Sequence, residues 1–110
     1  MTVRWGLLGA GWIARRAIVP AMHTADATDL AVIGARDVDR ARRLGPSRQA
    51  FGDYASVIDD PDVDAVYVAL SNDGHLPWTI AALEAGKAVL CEKPLGCTAQ
   101  EARRMREVAE

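Results

Sequence analysis

An apolar run, Val3-Arg4-Trp5-Gly6-Leu7-Leu8, feeds directly into Gly9-Ala10-Gly11-Trp12-Ile13-Ala14, a glycine-spaced turn that opens a helical segment. The chain must end a strand, reverse within a few residues and start a helix close against the strand it has just left. Gly9 permits the tight turn, Gly11 lets another group approach the backbone, and Ala14 keeps the helix near the strand. The first N–H groups of that helix have no intrahelical acceptor, which suits them to an anion. Glycine spacing alone says only that a βα turn is tight. With a strand before it and a helix after it, the spacing points to the pyrophosphate of a dinucleotide, held by Gly9, Gly11, Trp12, Ile13 and Ala14.

The rest of the chain repeats that rhythm. Strand-like apolar runs at 3–8, 30–35, 65–70 and 88–91 alternate with helix-period segments at 12–24, 38–44, 76–85 and 99–109, with a short third strand at 49–51 and a helical turn at 54–58. The strands read as near-continuous apolar stretches, as expected of a parallel sheet covered on both faces. Leu76, Ile80 and Leu83 share one helical stripe, as do Ala102, Met105 and Ala109. Pro20 removes a backbone donor and is expected to kink or shorten the first helix. Thr98-Ala99-Gln100-Glu101 is a capping box that starts the last helix. The expected class is α/β, a doubly wound, mostly parallel sheet of Rossmann type. The pattern ends inside a helix after four or five strands, whereas the full fold has two halves and roughly six strands, so the fold is expected to be C-terminally incomplete.

Composition excludes several classes. Half of the 110 residues are hydrophobic and the formal net charge is -2, with no basic excess to hold nucleic acid or an anionic membrane. No apolar run nears the roughly 20 residues that span a bilayer, and no basic segment precedes an apolar one at the N-terminus. A cytoplasmic location is expected. The two cysteines, Cys91 and Cys97, lack the paired spacing of a zinc site and read as packing residues; no metal is expected.

Three groups of polar residues fall at strand ends. Arg36, in Gly34-Ala35-Arg36-Asp37, lies where this fold meets the adenosine ribose. An acid there favours a free 2'-hydroxyl, whereas Arg36 can donate charge-assisted hydrogen bonds to a 2'-phosphate. That leans the site toward NADP. Asp37 keeps NAD open, or serves simply as the N-cap of the next helix. Ser71, Asn72 and His75 follow the fourth strand and are candidates for the crevice rim, although Asn72 and Asp73 also suit a turn and His75 a helix start. Finally, Lys87-Ala88-Val89-Leu90-Cys91-Glu92-Lys93-Pro94 delivers a carboxylate, an ammonium and a proline to the same edge. Lys93 could donate to an oxygen undergoing oxidation or reduction; alone, the triplet reads equally as a charged loop.

Taken together, the glycine turn, Ala35-Arg36-Asp37, the run from Ala82 to Lys87 and Cys91-Glu92-Lys93-Pro94-Leu95-Gly96 resemble the N-terminal half of the Gfo/Idh/MocA (glucose-fructose oxidoreductase, inositol dehydrogenase) family, in register over the whole chain. In motif they are most similar to its dihydrodiol dehydrogenase branch. The resemblance implies an NAD(P)-dependent oxidoreductase, NADP favoured, acting on a sugar, polyol or diol. It makes Lys93 the catalytic candidate, in contact with substrate and nicotinamide ribose, and adds Glu92 and Pro94 to the cofactor-binding set. The family's Thr-Pro-Asn-x-x-His loop here has Leu70 and Ser71 in its first two places and keeps Asn72 and His75. The family's C-terminal α+β substrate domain, which carries most substrate contacts and the oligomer interface, is missing from the pattern. A homo-oligomer is expected only where that domain is present, and the isolated chain is expected to bind a cofactor better than it turns over a substrate. The rivals are a non-catalytic nucleotide-binding or regulatory module and an S-adenosylmethionine methyltransferase fold; the latter leaves Arg36 and Glu92-Lys93-Pro94 unexplained.

Overall fold

A computed structural model describes residues 2–91 and 99–110, with Asn72 and Asp73 described through their backbone alone. Five strands, β1 (Val3–Leu8), β2 (Thr28–Gly34), β3 (Gln49–Phe51), β4 (Ala65–Val68) and β5 (Ala88–Cys91), form one sheet in the order β3-β2-β1-β4-β5. Every neighbouring pair is parallel. The order reverses between β1 and β4, the switch point of a doubly wound sheet. Helix α1 (Val19–Thr24) connects β1 to β2, α2 (Val38–Leu44) connects β2 to β3, α3 (Ala55–Asp59) leads to β4, α4 (Asn72–Glu84) to β5, and α5 (Ala99–Ala109) closes the chain.

Alternation along the strands divides the core in two, because successive side chains leave opposite faces. Leu7 and Ile33 pack with Ile18, Met22, Ala41 and Leu44 on the α1/α2 side. Leu8, Val32, Val66 and Val68 pack with Val57, Ile58 and Ala82 on the α3/α4 side. Val57 presses onto the sheet between two glycines: a Cβ on Gly6 or on Gly34 would lie 2.6 Å from one of its methyl groups.

The helices correct two sequence expectations. Pro20, expected to kink or shorten the first helix, does not shorten it: the helix continues through Thr24. The chain instead widens into a π-helical turn over Ala14–Ile18, with the Val19 N–H donating to the Ala14 carbonyl, immediately before the proline ring would crowd the preceding turn. Helix α4 begins at Asn72, four residues before the expected start, so Asn72, Asp73 and Gly74 form its first turn and His75 lies within it. Thr98 of the predicted capping box and Cys97 lie outside the described residues, while Cys91 packs against the α3/α4 core.

At the amino edge of the sheet Arg4 grips Asp64 in a two-pronged bond, Nη2 to Oδ1 at 2.9 Å and Nε to Oδ2 at 3.1 Å. Asp62 lies 3.5 Å from the same guanidinium. Arg48 pairs with Asp60 at 3.1 Å, and the Lys87 ammonium donates to the Asp60 carbonyl at 2.7 Å. The side-chain hydrogen bond from Arg4 holds the Asp64 carboxyl down to about 2, against 3.8 ordinarily. Among the described residues no helix is long and apolar enough to cross a membrane.

Candidate functional site: a cleft at the strand switch

Strand register brings Leu8 opposite Gly34 on one side and Val68 on the other. The ladder runs one residue further: Gly9 N–H donates to the Gly34 carbonyl at 2.8 Å, and Ala69 N–H to the Leu8 carbonyl at 2.9 Å. Gly9, Ala35 and Ala69 therefore stand side by side at the carboxyl edge, at the floor of a cleft of about 420 Å³. Its walls come from Ala10 and Gly11, Arg36 and Arg40, Leu70 and Ser71, and Tyr54 with Trp78.

The two glycines of the turn are needed for different reasons. Gly9 has φ of +109°, which side-chain-bearing residues rarely adopt, and a Cβ there would collide with the Ala69 carbonyl oxygen. Gly11 is not in that region, and a Cβ on it would meet nothing within 4 Å. The fold itself therefore requires glycine at 9 but not at 11; the space beside Gly11 is room for something else. Arg15 N–H donates to the Gly11 carbonyl at 3.2 Å as the helix begins, so the N–H groups just before it have no intrahelical acceptor. A pyrophosphate fits such a cradle: backbone donors, a helix start and an absent side chain.

One rim is cationic and the opposite wall aromatic. Arg36 is exposed at the end of β2. Arg40, from α2, lines the same cleft and sets Nη2 3.5 Å from the Ala10 carbonyl oxygen. Asp37 is committed to capping α2, its Oδ1 accepting the Asp39 N–H at 2.8 Å. No carboxylate is among the described residues lining the cleft. Across it, Tyr54 and Trp78 meet edge to face, with ring centroids 5.2 Å apart at 79°. Cationic donors facing an aromatic wall suit a ligand that carries both phosphate and a planar ring.

The other predicted residues are distributed around this cleft. Ala14 is buried beneath the turn. Trp12 is 64% exposed with the Arg16 guanidinium 5.3 Å from its ring centroid. Ile13 lines an apolar groove with Trp5, Tyr67 and Leu90. Ser71 lies on the cleft rim, and Asn72 is the first residue of α4. His75 is only 1% exposed and sits below the cleft, Nε2 2.9 Å from the Leu70 carbonyl oxygen; the ring donates to that carbonyl, so His75 bears on the cleft through Leu70. Glu92, Lys93 and Pro94 lie outside the described residues. Arg40, Tyr54 and Trp78 are cleft residues that the sequence reading missed. Only Arg40 left a signal, a basic residue in the first turn of the helix that directly follows the strand end carrying Arg36.

A parallel sheet with a glycine turn and an anion cradle at its strand switch defines a Rossmann-type dinucleotide-binding domain. Residues 3–110 match a family described as an oxidoreductase family with an NAD-binding Rossmann fold, Gfo/Idh/MocA. The chain belongs to that family. It is 42% identical over 107 residues to the uncharacterized oxidoreductase ORF334 of Rhizobium meliloti, covering 94% of this chain and 32% of the relative. It is 37% identical over 110 residues to trans-1,2-dihydrobenzene-1,2-diol dehydrogenase of Mus musculus, covering 96% and 33%. Among solved structures it is similar to KijD10, a 3-ketoreductase from Actinomadura kijaniata in complex with NADP, with a TM-score of 0.92, 37% identity, and coverage of 99% of this chain and 36% of that one. The chain spans about a third of the length of the curated relatives it matches.

Proposed function

We propose that this chain is the coenzyme-binding portion of an NADP-preferring oxidoreductase that moves a hydride between the nicotinamide and a carbinol carbon of a sugar, polyol or diol. The observation that carries the reading is the pairing of the empty space beside Gly11 with two arginines, Arg36 and Arg40, on the rim where β2 ends. The coenzyme supplies the redox chemistry; the protein supplies position and charge. Backbone amides of the glycine turn would hold the diphosphate, and Arg36 the 2'-phosphate on the ribose. With Asp37 occupied as a helix cap, the acid that would select a free 2'-hydroxyl is otherwise engaged. Lys93 is assigned, from its motif, to the proton of the reacting oxygen. The relatives named above, a dihydrodiol dehydrogenase and a 3-ketoreductase in complex with NADP, support an oxidoreductase of carbinol and carbonyl carbons.

Calorimetric titration with NADP, NAD and S-adenosylmethionine tests the cofactor assignment. Tighter binding of NADP than NAD, and none of S-adenosylmethionine, is the expected result; no binding of either nicotinamide coenzyme overturns it. Turnover on a panel of sugars, polyols and diols, measured for this chain and for any longer protein that contains it, tests the reaction. Binding without turnover in either form would favour a nucleotide-binding regulatory module.

A further inference from the structure

Leu70 is seated between the two turns that face the cleft. Its Cδ2 lies 3.2 Å from where a Cβ on Gly9 would stand, and its Cβ and Cδ1 lie 3.1 and 3.3 Å from the corresponding point on Gly74. The isobutyl group thus fills room left by two missing side chains, one in the glycine turn after β1 and one in the first turn of α4. It lines the cleft there and packs against the α3/α4 core. An aliphatic side chain has no polar atom to hold it in such a seat, so its orientation depends on the backbone that carries it. Two hydrogen bonds fix that backbone. Ala69 N–H donates to the Leu8 carbonyl at 2.9 Å, and the His75 imidazole donates from Nε2 to the Leu70 carbonyl oxygen at 2.9 Å. With a peptide anchored on each side of it, the Leu70 Cα has little freedom to turn its side chain into the cleft. His75 is 1% exposed, and a polar ring so far from water needs partners; one of them is this carbonyl, five residues back and outside the helix.

We propose that His75 is a positioning residue of the coenzyme cleft: by holding the Leu70 carbonyl it keeps the Leu70 side chain seated between Gly9 and Gly74, clear of the space beside the glycine turn. The inference rests on the coenzyme reading above. His75 itself does not line the cleft, and its effect on binding passes through one leucine. Without the hydrogen bond the turn after β4 is free to rotate, and the isobutyl group swings into the volume that the coenzyme occupies.

The test titrates NADP into His75→Leu, His75→Gln and Gly74→Ala, each made in the natural chain and in a Leu70→Ala background. His75→Leu is expected to weaken NADP about tenfold in the natural chain, and by less than about twofold in the Leu70→Ala background, where the obstructing side chain is gone. Its melting temperature should fall in both backgrounds, because the hydrogen bond is lost from both; a merely structural role would make the affinity cost follow the same pattern. His75→Gln supplies an amide N–H in place of the imidazole N–H and should bind NADP within about twofold of the natural chain. Gly74→Ala keeps the hydrogen bond and crowds the seat instead. Alanine suits a helical turn better than glycine does, so this variant folds even if His75→Leu does not. It is expected to bind NADP about fivefold more weakly, again only where Leu70 is present. Equal affinity costs in the two backgrounds overturn the proposal, as does full affinity in both His75→Leu and Gly74→Ala, or a glutamine as damaging as the leucine. Failure of the coenzyme reading looks different, because then the unsubstituted chain binds no NADP and both readings fall together.

Discussion

Arg40 reaches from α2 to within 3.5 Å of the Ala10 carbonyl oxygen, so the helix that follows β2 touches the turn that follows β1 across the mouth of the cleft. The guanidinium is thereby fixed beside the glycine turn before any ligand arrives. A donor held in place loses less side-chain entropy on binding than a free surface arginine would.

Replacing Arg36 with alanine should weaken NADP roughly 10- to 100-fold and NAD hardly at all, since a charge-assisted bond to phosphate contributes on the order of 1.5–3 kcal/mol. Arg40→Ala should act in the same direction. Isothermal titration with both coenzymes measures the ratio, and equal losses would remove the phosphate role.

Gly11→Val should fold with an unchanged melting temperature to within about 2 °C, because no protein atom lies within 4 Å of the added Cβ. Its coenzyme binding should vanish as the side chain fills the space meant for the diphosphate. Retained affinity would mean that the turn serves only the fold.

Gly9→Ala should behave in the opposite way. A positive φ and a collision with the Ala69 carbonyl predict a loss of stability of about 1–3 kcal/mol, read as a lower urea midpoint.

Acid unfolding should reveal the Arg4–Asp64 pair. The Asp64 carboxyl is held down to about 2 in the folded chain, chiefly by the side-chain hydrogen bond from Arg4, against 3.8 ordinarily. A depressed folded value means that the contribution is complete above about pH 4 and disappears as pH falls toward 2. Urea midpoints measured across that range should fall more steeply for the natural chain than for Asp64→Asn, and added salt should shrink the difference because the pair is exposed.

In a longer protein that contains this chain, Lys93→Met should lower kcat with little change in the dissociation constant for NADP. An unaffected turnover rate would disqualify Lys93 as the proton-handling group.

Much of this architecture is legible from residue order alone. The limits of β1, β3, β5, α2 and α5 match the apolar runs and their periods; β1, β3 and α2 stop at a glycine, Gly9, Gly52 and Gly45, and Asp37 caps the start of α2. The start of α4 was hidden: Asn72, Asp73 and Gly74 favour turns in isolation, yet here they make the helix's first turn, and Gly74 lets the Leu70 side chain pack 3.1 Å from where a Cβ would stand. Gly9, Gly11 and Arg36 could be read from spacing because they follow strands. Tyr54 and Trp78 could not, since their meeting depends on how α3 and α4 lie on the sheet, a relation that local sequence does not encode. His75 was legible as a polar residue near the crevice, but its burial against the Leu70 carbonyl is a tertiary fact.

The ionic girdle of Arg4, Asp62 and Asp64 fastens one end of the β1–β4 seam, while the glycine turn and its arginines occupy the other. Cohesion and recognition are thereby kept a strand's length apart. Substitutions that retune the ligand rim leave the clasp untouched, so the scaffold can explore new chemistry at its open end without loosening the end that binds it together.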